Sequence, residues 1–447
     1  MISKTFVGHD TSGGLPSLRT DKAGAVKRSR VAGAGGGNEE AAGRRAGLAA
    51  MVLLLLGTFG VSTAYGMLLL LPLYVQRLGG NEANFGLVLS AATVTAVLCI
   101  GLLIRYPDAL RPHTVVAIAI AVYGLGAAGA SFVTGMWTPL VGVGVLLGTS
   151  WAVVYTATPM MMSEMVTDEG RAAHFGYLTG TQQVGIGAGP VVARVLVETD
   201  LGFRGTFLVA GVICLAAVAL TATVGFLTPG LRAARARDRG GLAPNAGSVP
   251  FEEAVRRILR SEAVYSLAMI LLFACLFTSM TQFQTTFARS QGLDYAVFYM
   301  TYTAAVIFSR FVVASIATRF DARLVVASAV SVMALAVAAF FAVGSSALLY
   351  GAASALLGLG YGLALPSVQA QAVNVSEEAV RSRVLPMAGL LFQAAILGFP
   401  LFAGWVIADL GYVALFAVLL SLALAQAVIG WWRYSATRSV TFLAGPR

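Results

Sequence analysis

The chain has 447 residues, of which 58% are hydrophobic and only 11% are charged, and its formal net charge is +10. Soluble domains contain about 25% charged residues, so this composition excludes a large soluble fold and indicates a membrane-embedded chain. No basic patch interleaved with aromatic residues accounts for the positive charge, and we expect no nucleic-acid partner. Cys99, Cys214 and Cys275 lie in apolar stretches without metal-ligand spacing, so neither a disulfide framework nor a metal site is expected.

The first segment of the chain lacks apolar periodicity. Residues 1–45 are rich in Gly, Ala, Ser and charged residues, and we expect a disordered tail. The apolar stretch that follows is much longer than the core of a signal peptide, so it is expected to cross the membrane. Twelve apolar segments are predicted as membrane spans, at about 47–76, 84–105, 113–134, 138–162, 172–197, 204–228, 263–289, 294–317, 324–343, 346–373, 383–408 and 411–433.

A polar connection divides these spans into two groups of six. The predicted organisation is a first half over 46–228, a linker over 229–262, a second half over 263–434 and a tail over 435–447. Within the linker, the stretch FEEAVRRILRSE has apolar residues at helical spacing and arginines on the other face, which predicts an amphipathic helix on the membrane surface. The predicted fold class is an all-α membrane protein with twelve transmembrane helices in two pseudo-symmetric halves.

The basic residues predict the orientation of the chain. All but four of the 30 Lys and Arg residues fall on the side of the N-terminus, and the four exceptions are Arg77, Arg194, Arg204 and Arg289. Because the cytoplasmic side of a membrane protein carries the excess of Lys and Arg, both termini, the linker and the C-terminal tail are predicted to be cytoplasmic, in the inner (plasma) membrane.

The two halves are related by an internal repeat. At an offset of 213 residues, Gly79 aligns with Gly292 and Phe85 with Phe298; later in each half the offset is 210. The further matches pair Asp108 with Asp321, Gly148 with Gly358, Asp168 with Glu378, Arg171 with Arg381, Gln183 with Gln393 and Pro190 with Pro400. Two halves repeated in the same orientation favour a substrate site between them and alternating access by rocking, which a channel or a membrane enzyme does not require.

Two loops carry a resemblance to a known family. The loop after the eighth span, ATRFDAR at 317–323, resembles the inner-loop signature of the major facilitator superfamily, and the whole of 47–433 is similar to that family. The corresponding loop after the second span is a degraded copy. The resemblance implies a charge-paired latch that steadies one state of the transport cycle, formed in this chain by Gly101, Asp108, Arg111, Arg319, Asp321 and Arg323.

The fifth span contains QQVGIGAGP at 182–190, which resembles the Gly-Pro motif of drug:proton antiporters. Gly185 and Gly189 would let helices approach closely, and Pro190 would open the backbone hydrogen bonding. The resemblance implies export.

Proton coupling has no strong candidate in the sequence. The fourth span lacks the arginine that the antiporters commonly use, so Glu164 and His174 are the remaining candidates. Three stretches also resemble exporters of opine-type, staphylopine-like metallophores: YTATPMMMSEMVTDEGR, GLGYGLALPSVQAQAVN and LFQAAILGFPLFAGW.

Arg310 lies inside an apolar span, roughly 13 Å from the inner surface at 1.5 Å per residue. Charge at such a depth is costly and is functional by default, so Arg310 either binds an anion or gate partner in the cavity, or holds the inner loop of its own half. No Asp or Glu sits comparably deep. The substrate is therefore expected to be anionic, zwitterionic or neutral and amphipathic.

Polar and aromatic side chains in the spans are the other candidates for the cavity lining. A buried amide needs a partner, so each glutamine contacts either substrate or another helix. The predicted lining residues, besides Arg310, are Gln182, Gln183, Gln282, Gln284, Gln393, Tyr65, Tyr155 and Tyr302.

These features predict a secondary active transporter that exports a small metabolite by proton antiport. It would act as a monomer in the lipid bilayer, with protons as the coupling ion and without a cofactor. Two alternatives stay open: a multidrug efflux antiporter of lipophilic cations and an uptake permease. A membrane receptor would need a sizeable soluble domain, and no catalytic constellation or nucleotide-binding loop indicates an enzyme.

Overall fold

In a computed structural model of the chain, every regular element is helical within the described residues, which are 22–105, 111–166, 171–227, 251–313 and 319–443. The helices of the first half are α1 (Lys22–Met67), α2 (Leu71–Arg77), α3 (Glu82–Ser90), α4 (Thr93–Arg105), α5 (Pro112–Phe132), α6 (Leu140–Met165), α7 (Arg171–Val197) and α8 (Gly202–Leu227). Those that follow are α9 (Phe251–Arg260), α10 (Ala263–Gln282), α11 (Gln284–Ser290), α12 (Tyr295–Phe308), α13 (Ala322–Phe340), α14 (Ala347–Asn374) and α15 (Glu378–Leu443).

All twelve predicted spans are helical over the residues that the structure describes. Within the described residues, 10 helical stretches are long and apolar enough to cross a membrane. The last of them, Arg383–Ala436, has 54 residues, which at 1.5 Å each is more than twice the roughly 30 Å of a bilayer core. It is broken at Gly411, where φ is 84°, and so supplies two crossings. The twelfth is α7, whose 27 residues suffice by length although its Gly, Gln and Thr residues lower its hydropathy.

The N-terminal tail and the linker are the two segments outside the spans. Helix α1 begins at Lys22, inside the segment for which the sequence predicts disorder, because Ala, Arg and Glu residues propagate the helix outward from the first span. Residues 1–21 and 228–250 lie outside the described residues. The predicted amphipathic helix of the linker is α9, in which Ile258 is buried and Leu259 is exposed.

Close contacts repeat between the halves. A Cβ on Gly148 would lie 2.4 Å from Ala92 Cβ, and one on Gly358 would lie 2.9 Å from Ala305 Cβ. Both pairs fall at the repeat offsets, so the same helix crossing occurs in each half with glycine where the backbones come closest. The starts of α3 and α12 also correspond, since each is capped by the side chain of an Asn or Asp at the repeat offset.

The halves meet mainly where α7 packs against α12 and where α3 and α4 pack against α15. In α7 the glycines of the Gly-Pro motif permit this contact. A Cβ on Gly187 would lie 2.1 Å from Thr303 Oγ1 of α12, and one on Gly189 would lie 2.4 Å from Gly66 Cα of α1. Helix α7 therefore sits between its own half and the opposite half with no space for larger side chains.

Because successive spans alternate in direction, loops fall on two sides of the molecule. We call the side that carries α9 and the loop before α13 the linker side, and the opposite side, which carries Gly79, Gly292 and Gly411, the far side.

Candidate functional site

A small cavity lies between the two halves, and we call it the central cavity. It holds about 50 Å³ of free volume. Its lining comes from both halves: Tyr65, Trp151, Tyr155, Thr179, Gln182, Gln183 and Ile186 from the first, and Phe277, Arg310, Tyr361, Phe392, Gln393 and Ile396 from the second.

Stacked aromatic pairs form its apolar walls. Tyr65 and Trp151 stack with ring centroids 3.9 Å apart, and Phe277 and Tyr361 stack at 4.6 Å. Trp151 and Tyr361 stand at equivalent positions of the repeat, so each half contributes one such pair. The flat faces of these rings suit a planar or amphipathic molecule.

Arg310 is the cation of the central cavity. It lies in a π-helical turn, Ser309–Val313, and turns of this kind occur often at functional sites. Its Nη1 is 3.5 Å from the carbonyl oxygen of Thr179 in the opposite half, a contact at the limit of hydrogen bonding, and its buried Nε has no partner. Within the described part of the chain, no carboxylate forms an ion pair with Arg310.

Glutamines supply the neutral polar groups of the lining. Gln182, Gln183 and Gln393, three of the residues singled out in the sequence, all line the central cavity. Gln393 is only 2% exposed, and neither its amide nitrogen nor its amide oxygen has a hydrogen-bond partner. An amide in this condition is unusual, because most buried polar groups in proteins are hydrogen-bonded.

Three other predicted lining residues lie elsewhere. Gln284 accepts a hydrogen bond of 2.9 Å from the Tyr350 hydroxyl, which keeps it in the packing of the second half. Gln282 lines a smaller cavity of about 40 Å³ on the far side, and its Nε2 donates to the Tyr65 hydroxyl across the halves at 2.9 Å. Tyr302 is buried behind Tyr361, outside the lining. Gln282 and Gln284 are thus hydrogen-bonded to side chains of other helices. The Tyr302 hydroxyl is buried and has no hydrogen-bond partner within the described residues.

A larger cavity of about 680 Å³ opens on the linker side. It adjoins the central cavity, because both are lined by Tyr155, Thr179 and Arg310. Gln369 and Asn374 add polar groups to its wall. A solute that enters from the linker side therefore reaches Arg310 before it reaches Gln393 and the aromatic walls.

The far side is closed by a hydrogen-bond cluster that joins the halves. The Tyr412 hydroxyl donates to Glu82 Oε1 at 3.0 Å, and its oxygen lies 2.7 Å from Thr286 Oγ1. Gln76 Nε2 donates to the same Glu82 oxygen at 2.9 Å. Glu82 belongs to the first half, whereas Tyr412 and Thr286 belong to the second.

Two further contacts join the halves on the far side. Arg194 forms an ion pair with Asp294, with both side chains more than a third exposed. Ser90 Oγ donates to the carbonyl of Gly398 at 3.2 Å and accepts from Leu401 N–H at 3.1 Å. The structure is therefore closed on the far side and open on the linker side.

We predict that Tyr412→Phe loosens the far side. The change removes the only hydroxyl that bridges Glu82 and Thr286 in the described residues. Losing this hydrogen bond should destabilise the far-side-closed state by about 0.5–1.5 kcal/mol, which corresponds to a two- to tenfold rise in the far-side-open population. Leu69 is buried and lines the smaller cavity on the far side, so it becomes accessible when that side opens. The rise is measured by labelling Leu69→Cys with an impermeant thiol reagent from the far side, in a background in which Cys99, Cys214 and Cys275 are serine. Arg194→Ala is the comparison, because an exposed ion pair contributes about 0–1 kcal/mol and its effect should vanish in high salt. Equal labelling of Tyr412→Phe and the parent would contradict the prediction.

The predicted latch residues have varied surroundings. Asp321 caps α13 by accepting from the backbone N–H of Arg323 at 2.7 Å. The Arg323 guanidinium donates to the Arg433 carbonyl at 3.2 Å within the second half and lies 3.8 Å from Glu262, the last residue of the linker. Arg319 is exposed.

The copy of the latch in the first half is less defined. Arg111 is exposed at the start of α5, and a Cβ on Gly101 would meet open space, so no close helix contact requires that glycine. Asp108 lies outside the described residues.

The two candidates for proton coupling lie near the linker side. His174 is half-buried near the start of α7, with its ring edge against Tyr177 at 6.2 Å. Glu164 stands near the end of α6, and its side chain is not among those described.

A family comparison agrees with this architecture. The family model of the Major Facilitator Superfamily matches residues 51–398. The chain belongs to this superfamily. A search of curated protein sequences finds no match. The superfamily membership makes the chain a multi-pass membrane transporter of small molecules, not an enzyme, as predicted.

Solved structures of superfamily transporters share the fold of this chain. The nucleoside transporter NupG, solved as a point mutant, superposes with a TM-score of 0.65 at 15% identity, covering 86% of this chain and 99% of NupG. The human organic anion transporter MFSD10 (TETRAN) superposes with a TM-score of 0.59 at 15% identity, again over 86% of this chain and 99% of the other. At this level of identity the likeness concerns the fold alone.

Sequence reasoning missed several residues of the lining and of the far side. Phe392 faces Tyr155 across the halves with ring centroids 6.1 Å apart, and Thr179 contacts Arg310. Phe392 is the repeat counterpart of Gln182, a relation that could have revealed it. The pairing of Glu82 with Tyr412 has no sequence signal, because the two residues are distant in the chain and unrelated by the repeat.

Proposed function

We propose that the chain is a secondary active transporter that binds a small anionic, zwitterionic or amphipathic metabolite in the central cavity and exports it by proton antiport. Arg310 would bind the anionic group, the stacked rings of Tyr65, Trp151 and Tyr361 would hold the apolar part, and Gln182, Gln183 and Gln393 would bind neutral polar groups. Alternating access would follow from rocking of the two halves around this cavity.

The observation that carries the proposal is the state of Arg310. Its guanidinium lies between the two cavities without a carboxylate partner in the described residues. Arg310 is half-buried with its Nε fully buried, and a cation partly withdrawn from water is stabilised by a paired charge, so the site favours a ligand that supplies the negative charge. The described lining of both cavities contains no Asp or Glu that would favour a lipophilic cation instead.

Direction, coupling and orientation rest on the sequence. The Gly-Pro motif supports export by proton antiport, with Glu164 and His174 as the proposed proton carriers. The excess of Lys and Arg supports a cytoplasmic linker side and cytoplasmic termini in the inner membrane. With these assignments, substrate would enter Arg310's cavity from the cytoplasm and leave by the far side.

The test uses everted membrane vesicles with an acidic interior, in which antiport releases protons as substrate enters. Benzenesulfonate, a permanent aromatic anion, an opine-type polycarboxylate and tetraphenylphosphonium are added to separate samples. Vesicles without the protein and vesicles with Arg310→Gln serve as controls. Gradient collapse that needs an anion and Arg310 supports the proposal; collapse with tetraphenylphosphonium alone would make the protein a cation antiporter.

A further inference from the structure

The amide of Gln393 is the least satisfied polar group of the central cavity. It comes from α15, is 2% exposed, and finds no hydrogen-bond partner for either Nε2 or Oε1 among the residues that the structure describes. By contrast, Gln284, equally buried in the same half, accepts a hydrogen bond from Tyr350. The described residues offer Gln393 no partner in this conformation, so its amide is free to bind a group that enters the central cavity.

The geometry of a primary amide limits what that partner can be. A glutamine side chain presents one oxygen that accepts and one nitrogen that donates, side by side in a plane. The complementary group is a planar N–H beside a C=O, as in a lactam ring or a cis-amide, which can form both hydrogen bonds at once. A carboxylate alone would satisfy only the nitrogen, and a hydrocarbon ring would satisfy neither.

The neighbours of Gln393 agree with a flat ligand. Phe392 precedes it in the chain and faces Tyr155 at 6.1 Å, while Phe277 and Tyr361 stack in the same wall. A ring that lies among these side chains presents its edge, not its face, to polar groups of the lining. Arg310 lines the same cavity and would take the anionic substituent of that ring.

We infer that Gln393 determines specificity by reading the lactam or amide edge of a planar heteroaromatic anion. This inference rests on the proposed function, since it names the substrate class of the same site. A ligand with such an edge pairs the amide, so the complex gains hydrogen bonds that the empty protein lacks. A ring anion without the edge leaves the amide unpaired and therefore binds more weakly.

The experiment measures binding to the purified full-length protein in lipid nanodiscs. The probes are orotate, a planar ring anion with lactam edges, and benzoate, a planar ring anion without them. We expect orotate to bind at least tenfold more tightly than benzoate, and Gln393→Leu to abolish that preference. Thermal unfolding without ligand gives the second readout: Gln393→Leu should raise the unfolding temperature by about 1–3 °C, because it removes an unpaired buried amide.

Gln284→Leu is the matched control. It should lower the unfolding temperature, since it leaves the Tyr350 hydroxyl unpaired, and should keep the preference for orotate. A Gln393→Leu protein that is less stable and still prefers orotate would overturn the inference. Equal binding of orotate and benzoate, both weakened by Arg310→Gln, would refute the edge recognition and leave the proposed function intact. Binding of tetraphenylphosphonium with neither anion would refute both.

Discussion

Arg310→Gln is expected to weaken the binding of an aromatic anion by about a hundredfold. Removing one partner of a desolvated charge pair costs about 2–5 kcal/mol, and each 1.4 kcal/mol is a factor of ten. Glutamine keeps the polarity and much of the length of the side chain but removes the charge. Arg310→Lys keeps the charge and loses the planar fork, so we expect an intermediate loss of about tenfold.

Binding and transport have to be measured separately for these variants. Isothermal titration with benzenesulfonate gives the affinity, and proton release from everted vesicles gives the transport rate. Arg319→Gln is the matched control, because Arg319 is exposed on the linker side and should leave the affinity unchanged. If Arg310→Gln binds the anion as tightly as the parent but cycles slowly, Arg310 holds the structure of its own half and is not a substrate contact.

Gly187→Val should reduce transport at least tenfold by forcing the halves apart. A Cβ on Gly187 would lie 2.1 Å from Thr303 Oγ1 and 2.6 Å from both Cβ and Cγ2 of that residue, so no part of the Thr303 side chain leaves room. Thr303 is buried and β-branched, and it cannot rotate away freely. Overpacking of this kind costs about 1–3 kcal/mol, and because the contact joins the two halves, the cost falls on the far-side-closed state. Labelling of Leu69→Cys from the far side should rise accordingly.

Two further variants distinguish this effect from misfolding. Gly180→Val lies in the same helix, but a Cβ there would meet only the Phe311 ring, at ordinary contact distances of 3.8 and 4.0 Å, so transport should be close to normal. Thr303→Gly removes the opposing side chain and should restore part of the activity of Gly187→Val. A Gly187→Val protein with the parent's labelling and transport would show that α7 and α12 adjust without separating.

The all-helical membrane fold and its apolar spans could be predicted from the sequence, because hydrophobic length is a local property. The spans on either side of Gly411 and the span of low hydropathy in α7 could still be recognised, since charged or Gly-containing turns bound them in the sequence. Gln183 and Gln393, which the repeat places at equivalent positions, line the same cavity.

The role of each polar residue could be predicted only in part. Gln284 and Gln393 both stand in apolar helices, and nothing local reveals that Tyr350 satisfies one while the other has no partner. That difference depends on which helix packs opposite. For the same reason, the far-side contact of Glu82 with Tyr412 could not be predicted, since the two residues meet only when the halves come together.

The unneutralised guanidinium of Arg310 has an electrical consequence. In the proposed alternating-access cycle, the aqueous cavity switches from one side to the other. Most of the membrane voltage then falls across the protein on the closed side, so the charge changes potential even when its atoms hardly move. Crossing the whole field is worth about 2.3 kcal/mol per elementary charge at 100 mV. A bound monoanion cancels this charge. The membrane potential should therefore bias the return of the empty transporter and leave the loaded one nearly indifferent to voltage.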